Sequence, residues 1–180
     1  MRDQQEPRRL VLVDESKAND YLLAATVIDL PDLTVARRAV RGFVLPGQNR
    51  LHMTKGSDSR RRLILASIAR LPLSTTVYRA PKDGRNEVER RARCLDALID
   101  DLAIGSPAAL CLERDETLTA RDRQRFVEAS RRTGQTLNHR HSSTTEEPLL
   151  AIPDAVAWAW ARGGEWRRRC PTANERRPSV

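Results

Sequence analysis

The feature that most constrains the fold of this chain is a short apolar segment that is followed directly by two acids. Residues 10–13 are all large and aliphatic, which is the pattern of a strand buried on both faces of a sheet. Asp14 and Glu15 follow directly, and ionised carboxylates rarely lie at the edge of a core without a cation beside them. A divalent metal bound through carboxylate oxygens would supply that cation, and a simple polar turn is the alternative.

The charge of the chain indicates the kind of partner it meets. Across 180 residues the formal net charge is +8 and the isoelectric point is about 10.4, which favours a polyanion such as nucleic acid. An ordinary solvated basic surface is the alternative. Arg90, Arg91 and Arg93 are expected to belong to that surface, as exposed positions of a helix.

The cysteines and the hydropathy of the chain indicate its compartment. Cys94, Cys111 and Cys170 are odd in number and widely spaced, so they predict neither a disulfide framework nor a metal site. No run of apolar residues approaches the roughly 20 that a membrane span needs. We therefore expect a protein of the reducing cytoplasm, without a membrane segment.

Hydrophobic periodicity predicts one α/β domain in which strands alternate with helices. The predicted strands cover residues 10–14, 21–29, 74–79, 108–112 and 135–139. The predicted helices cover residues 32–43, 58–71, 86–104, 120–133 and 149–162. Thr119 is the predicted cap of the fourth helix, and the first two strands are expected to pair as an antiparallel hairpin. Residues 1–9 and 163–180 lack periodicity, so we expect a flexible lead-in and a flexible basic tail.

A second predicted strand also ends in acids. Residues 108–112 run into Glu113 and Asp115, as residues 10–13 run into Asp14. In open α/β sheets, active sites lie beyond the carboxyl ends of the strands. If these two strands are parallel neighbours, their terminal acids converge at one edge of the sheet. The sequence therefore predicts a carboxylate cluster built from distant parts of the chain.

Several short motifs follow one another in a distinctive order. They are Val13-Asp14-Glu15-Ser16, Leu51-His52, Leu112-Glu113-Arg114-Asp115, Ser142-Ser143 and Pro148-Leu149-Leu150-Ala151-Ile152-Pro153-Asp154-Ala155. Together they resemble the family catalogued as domain of unknown function 3800, which is assigned to the ribonuclease H-like fold. The resemblance implies a ribonuclease H-like domain over residues 10–162. Its α/β architecture would be a mixed sheet opened by an antiparallel hairpin, with helices packed on both faces.

The resemblance also implies a nuclease-type metal site. By position, Asp14 would bridge two divalent ions, Glu113 or Asp115 would be the ligand from the later strand, and Asp154 the ligand from the last helix. The implied cofactor is Mg²⁺ or Mn²⁺, since both ions take carboxylate oxygens as ligands. Two such ions can activate a water molecule and stabilise the leaving oxygen of a phosphodiester.

Two further residues join the candidates, and three positions depart from the family's pattern. Glu15 is a possible additional metal ligand, and His52 is a candidate for catalysis or phosphate contact, with a structural histidine as the alternative. Lys17 stands where the family usually has glycine, and no acid follows His52 closely. Pro153 precedes Asp154 where the family often has alanine. Because proline suits the first turn, Asp154 is expected near the start of the last helix.

These observations lead to a divalent-metal-dependent nuclease that hydrolyses nucleic-acid phosphodiesters. The alternative is a catalytically silent nucleic-acid-binding or accessory protein with the same fold. A third hypothesis is a subunit whose basic surface meets an acidic protein partner or a further copy of itself. The sequence leaves RNA, DNA and hybrid substrates open. Clustering of the candidate carboxylates would favour the enzyme, and their dispersal would favour the binding protein.

Overall fold

A six-stranded mixed sheet with helices on both faces forms the fold. The structure, a computed structural model, describes residues 6–178, so the first five residues of the expected lead-in and the last two of the expected tail lie outside the described residues. The strands are β1 Arg9–Ser16, β2 Tyr21–Asp29, β3 Leu73–Ala80, β4 Ala108–Glu113, β5 Asn138–Ser142 and β6 Ala173–Arg176. The helices are α1 Leu33–Arg41, α2 Asp58–Ile68, α3 Glu87–Ile104, α4 Glu116–Thr133, α5 Ala151–Arg162 and α6 Gly164–Arg168. Within this part of the chain, no helix is both long and apolar enough to cross a membrane.

The strand order of the sheet is β5-β4-β1-β2-β3-β6. β1 and β2 form the predicted antiparallel hairpin. β1 also pairs with β4 in parallel, which is the arrangement in which their terminal acids converge. β2 pairs with β3 antiparallel, whereas the pairs β4–β5 and β3–β6 are parallel. Val13 lies beside Leu112 in the β1–β4 register. The residues that follow them, Asp14 and Glu113, therefore lie side by side on neighbouring strands.

Alternate residues of the central strands enter two separate cores. Leu10 and Leu12 join the core formed with α1, α2 and α5, on what we call the α5 face. Val11 and Val13 join the core formed with α3 and α4, on the α3 face. This alternation follows from the two-residue repeat of a β-strand, and burial on both sides explains why residues 10–13 of β1 are all apolar.

The same repeat decides which way the acids point. Because Leu12 lies on the α5 face, Asp14 lies there too, and Glu15 lies on the α3 face. On β4, Cys111 belongs to the core of the α5 face, so Glu113 also lies on that side. The sheet therefore brings one acid of each strand end to α5.

Several predicted boundaries differ from the structure by two to four residues, and two of these differences have a clear local reason. α4 begins four residues earlier than expected, because Asp115 caps it and Thr119 does not. Gly134 ends the helix in the left-handed conformation, at φ 68°. The next three residues form a connection in which the N–H of Leu137 donates to Ser130 Oγ, so β5 starts at residue 138 rather than 135.

The segment expected to be a flexible tail contains regular secondary structure. Residues 164–176 form α6 and β6, and β6 extends the sheet by pairing with β3. Trp166 of this segment packs against Trp158 with ring centroids 5.1 Å apart, and Cys170 is buried. These apolar contacts pack the segment against the rest of the domain, although its charge and its glycines predict a flexible tail. At the other end, Arg9 already belongs to β1.

Candidate metal centre

Three carboxylates from distant parts of the chain meet at the carboxyl ends of β1 and β4. Asp14 and Glu113 leave neighbouring strands on the α5 face, and Asp154 lies in the first turn of α5, as Pro153 predicts. The side chains of Asp14 and Glu113 share a hydrogen bond. Asp154 interacts electrostatically with both of them. The structure thus brings together one predicted acid from each of the three elements.

Burial and neighbouring charge both favour the protonated form of Asp14. The residue is only 7% exposed, and burial, followed by the hydrogen bond and the charge of Glu113 and the charge of Asp154, raises its pKa to about 9. The N–H of Glu15 donates to Asp14 Oδ1 at 2.7 Å and opposes this shift. The raised pKa therefore favours a proton held between Asp14 and Glu113, which share a hydrogen bond.

Asp154 is perturbed in the same direction. Burial, and then the charge of Glu113, raises its pKa to about 6, and the charge of Arg50 opposes this shift. None of the described residues donates a hydrogen bond to its carboxylate. Burial first, and then the neighbouring carboxylates, raise the pKa values of these two acids, which is typical of functional sites, and a bound cation would favour their ionised forms.

The chemistry of this cluster fits a hard divalent cation. All three side chains offer carboxylate oxygens, which are the ligands that Mg²⁺ and Mn²⁺ prefer. The nearest basic group is Arg50, whose Nη1 lies 3.9 Å from Glu113 Oε1. Within residues 6–178, no three His, Cys, Asp or Glu side chains already stand as a complete ligand set. The type of donor suits a divalent cation, whereas the present spacing of these side chains does not form a complete ligand set.

Glu15 belongs to a different cluster, on the α3 face. Its carboxylate accepts a hydrogen bond from Arg91 Nε at 2.9 Å and another from the Tyr21 hydroxyl, and it lies 3.1 Å from Lys17 Nζ. These partners satisfy the carboxylate on the side of the sheet opposite Asp14. The structure therefore does not bring Glu15, a candidate metal ligand, to the other acids. Instead, Glu15 ties the end of β1 to α3.

Arg91 extends that cluster into a buried network. Its guanidinium binds the Asp122 carboxylate through two nitrogens, one of them at 3.0 Å, and His141 Nε2 lies 3.0 Å from the same carboxylate. Burial alone would raise the pKa of Asp122, but the hydrogen bonds from His141 and Arg91 outweigh it and lower that pKa. The prediction that Arg91 is solvated is wrong, since the residue is 8% exposed.

Asp115 is an N-cap and lies outside the carboxylate cluster. Its side chain accepts hydrogen bonds from the Thr117 N–H at 2.9 Å and from Thr117 Oγ1 at 2.6 Å. These bonds lower the pKa of Asp115, so it stays ionised at the start of α4. Of the two acids that the sequence left as alternatives, the structure brings only Glu113 to Asp14.

His52 meets the carboxylate cluster through Arg50. Arg50 Nε donates to His52 Nε2 at 3.4 Å, while Nη1 of the same guanidinium faces Glu113. Burial, together with the charges of Arg50 and Lys55, lowers the pKa of His52, so the ring is neutral at pH 7 and can accept this bond. Thr144 Oγ1 donates to Glu113 Oε1 at 3.2 Å. Neither Arg50 nor Thr144 is apparent from the sequence, although each adjoins a motif.

The site is open to solvent. A cleft of about 440 Å³ lies over the ends of β1 and β4. It is lined by four acids, three basic residues and two apolar residues: Asp14, Glu15, Glu113, Asp115, Lys17, Arg91, Arg114, Val13 and Leu112. A ligand in this cleft would reach Asp14 and Glu113 directly, although most of the Asp14 side chain is buried.

The raised pKa of Asp14 predicts that the metal-free protein loses stability as the pH rises. The folded state holds the proton up to about pH 9 and the unfolded state releases it near pH 4, so stability falls between these values. The slope is at most about 1.4 kcal/mol per pH unit for one proton. Thermal melts in a chelator at several pH values measure it. Asp14→Asn, which keeps the amide as a donor to Glu113, should flatten the curve. Equal slopes would contradict the pKa of Asp14.

Two solved structures share this architecture. A chain in the structure of the PCNA:RNase HII complex from Archaeoglobus fulgidus matches with a TM-score of 0.59 and 14% identity, over 86% of this chain and 73% of that chain. The structure of Bst-RNase HIII in complex with Mn²⁺ matches with a TM-score of 0.50 and 16% identity, over 86% of this chain and 52% of that chain. This chain thus spans about half the length of the RNase HIII chain.

The class that the sheet and these similarities define is the ribonuclease H-like α/β fold, as the resemblance predicts. At 14% and 16% identity, the likeness concerns the fold alone. No sequence model of a protein family matches this chain, and no curated protein matches it by sequence. Membership in the domain of unknown function 3800 family therefore stays a prediction.

Proposed function

We propose that this protein is a divalent-metal-dependent nuclease that hydrolyses nucleic-acid phosphodiesters. One observation carries the proposal. Asp14, Glu113 and Asp154 converge at the carboxyl ends of two neighbouring strands of a ribonuclease H-like sheet, and the pKa values of Asp14 and Asp154 are raised. Both similar structures contain ribonucleases H, and one of them holds Mn²⁺, which supports the choice of reaction and cofactor. We also propose membership in the domain of unknown function 3800 family, on the order of the motifs.

In this proposal, Asp14, Glu113 and Asp154 would hold Mg²⁺ or Mn²⁺. The bound ions supply an activated water molecule and stabilise the leaving oxygen. Asp14 must give up its proton to act as a ligand, because the carboxylate is the binding form. Thr144 orients Glu113 through its hydroxyl, and Arg50 presents a guanidinium beside Glu113 that can pair with a substrate phosphate. Each of these roles belongs to a side chain already at the cluster.

A catalytically silent nucleic-acid-binding protein is the second candidate. Two features favour it: the pKa of Asp14 is raised to about 9, and residues 6–178 hold no complete set of metal ligands. The net charge of +8 serves a binding protein as well as an enzyme. A subunit that meets an acidic protein partner is the third candidate. We place the protein in the cytoplasm as part of the proposal, because all three cysteines are free and buried.

A cleavage assay distinguishes the first two candidates. Labelled single-stranded RNA, single-stranded DNA, both duplexes and an RNA–DNA hybrid would each be incubated with the protein in Mg²⁺, in Mn²⁺ and in a chelator. We expect cleavage of at least one substrate with either metal and none in the chelator. Binding without cleavage under every condition would contradict the enzyme and favour the silent protein.

Nucleic-acid affinity should depend strongly on salt. Because the excess positive charge would contact phosphates, binding releases counterions and weakens as salt rises. With about four phosphate contacts on a single strand, we expect an affinity loss of roughly 50-fold between about 50 and 200 mM salt. Fluorescence anisotropy of a labelled oligonucleotide measures this. An affinity that stays constant over that range would remove the electrostatic argument for a nucleic-acid partner.

A further inference from the structure

A second pocket lies beside the carboxylate cluster, between the end of α1 and the start of α5. Its volume is about 190 Å³. Its walls come from the end of α1, from the loop between α1 and α2, from the segment after β5 and from the turn before α5: Val40, Arg41, Val44, Asn49, Arg50, Leu51, Thr144 and Pro148. We call it the α1 pocket. The cleft over β1 and β4 shares none of these residues.

The α1 pocket adjoins the proposed catalytic acids through two of its own walls. Thr144 donates a hydrogen bond to Glu113 Oε1 at 3.2 Å, and Arg50 Nη1 lies 3.9 Å from the same oxygen. A group in the pocket and a phosphate at the carboxylate cluster would therefore lie on opposite sides of one pair of side chains. That separation suits adjacent parts of a single strand of nucleic acid.

The charge of the pocket suits a phosphate. α1 contains no acidic residue, and it carries Arg37, Arg38 and Arg41. Arg37 pairs with Glu147 at 3.1 Å, but the side chain of Arg41 pairs with no acid in the described part of the chain. Arg50 donates to His52 Nε2 through Nε at 3.4 Å, and its Nη1 lies 3.9 Å from Glu113 Oε1. Two guanidinium groups at the rim are thus available for a phosphate, which they can bind through paired hydrogen bonds.

The size and lining of the pocket suit a base or a sugar. Val40 and Leu51 are buried in its floor, and Val44 and Pro148 are half-buried in its walls. Pockets that enclose whole drug-sized ligands measure roughly 300–1,000 Å³, so about 190 Å³ has room for one part of a nucleotide and not for several. Asn49 is exposed at the rim, where its amide can reach a polar edge.

We propose that the α1 pocket is a nucleotide subsite, which holds the base or sugar of the nucleotide next to the phosphate at the carboxylate cluster. Arg41 and Arg50 bind the phosphate of that nucleotide, and the apolar walls contact its base or sugar. This inference rests on the proposed function, and it adds to that function the path of the nucleic-acid strand over the protein. The strand runs from the carboxylate cluster past Arg50 toward the arginines of α1.

Binding measurements on a cleavage-deficient background test the subsite. In Asp14→Asn, we would add Arg41→Gln, Arg50→Gln or Arg131→Gln and titrate a labelled single-stranded oligonucleotide by anisotropy at several salt concentrations. Arg131 is the matched control, because it is exposed on α4 at the opposite face of the sheet. We expect the first two variants to bind roughly 3–10-fold more weakly, with a salt slope lower by about 0.7 each. Arg131→Gln should leave the affinity unchanged.

A fourth variant separates the pocket from its charge. Val44→Trp would fill the α1 pocket without changing any charge, so it should weaken binding and leave the salt slope as it is. If all three arginine variants lose affinity equally, or if Val44→Trp binds normally, the subsite is wrong while the proposed function stands. If the Asp14→Asn parent binds no oligonucleotide at low salt, both the subsite and the proposed function fail.

Discussion

Asp14→Asn is expected to lower metal-dependent cleavage by at least about 100-fold, the largest change in activity that a single substitution should cause here. Asp14 is the acid that faces both Glu113 and Asp154, so its loss removes the ligand proposed for the central position. The same change should reduce the rise in melting temperature that Mg²⁺ or Mn²⁺ produces, because a ligand that binds only the native state stabilises it. Melts with and without metal measure this second effect.

Asp115→Asn is the matched control for Asp14→Asn. It removes a carboxylate from the same cleft, but asparagine is also a good N-cap, so α4 keeps its start. We expect wild-type cleavage and a wild-type response to metal. If the two variants respond alike, the carboxylates act through their total charge and not as ligands, and the silent binding protein becomes the better description.

Arg91→Ala is expected to destabilise the fold by about 3–5 kcal/mol, because it leaves the buried carboxylate of Asp122 without its guanidinium partner. Arg91 binds Glu15 and Asp122 together, and Asp122 is 2% exposed. For a domain of about this size, such a loss lowers the melting temperature by roughly 6–20 °C. Thermal or urea unfolding measures it, in the presence of a chelator so that metal binding does not contribute.

Arg125→Ala provides the comparison on the α3 face. Arg125 Nη1 lies 2.7 Å from both oxygens of Asp96, but about a third of each side chain is exposed. Ion pairs in water-accessible positions stabilise by about 1 kcal/mol or less, so this variant should melt close to the wild type. A similarly small effect for Arg91→Ala would show that the buried network contributes little to stability.

The sequence predicts where the acids of the site lie, because the patterns that indicate their positions are local in the sequence. An uninterrupted apolar strand ending in acids occurs at Asp14 and again at Glu113, and parallel pairing of such strands must place their ends together. The position of Asp154 in the first turn of α5 follows from Pro153 in the same way. Strand, hairpin and helix assignments rest on periodicity, and the sheet confirms their order.

The sequence could not show which helix covers each face of the sheet. A strand that is apolar on both sides gives no sign that α5 lies over Asp14 while α3 lies over Glu15. Asp115 looks equivalent to Glu113 until the local bonds of an N-cap are seen. Arg91 did leave a signal: it stands four residues before Leu95, on the buried stripe of α3. A lone arginine on such a stripe usually has a buried acid as its partner.

β6 has a consequence for how copies of this protein behave toward one another. It covers the outer edge of β3, whose backbone groups would otherwise be free to pair with a strand of another chain. β6 itself is four residues long and carries Glu175, which binds Arg79, Arg167 and Arg177, so the new edge is short and highly charged. Proteolytic loss of β6 would expose the edge of β3, which contains Thr75, Thr76 and Val77, and would favour strand pairing between copies of the protein.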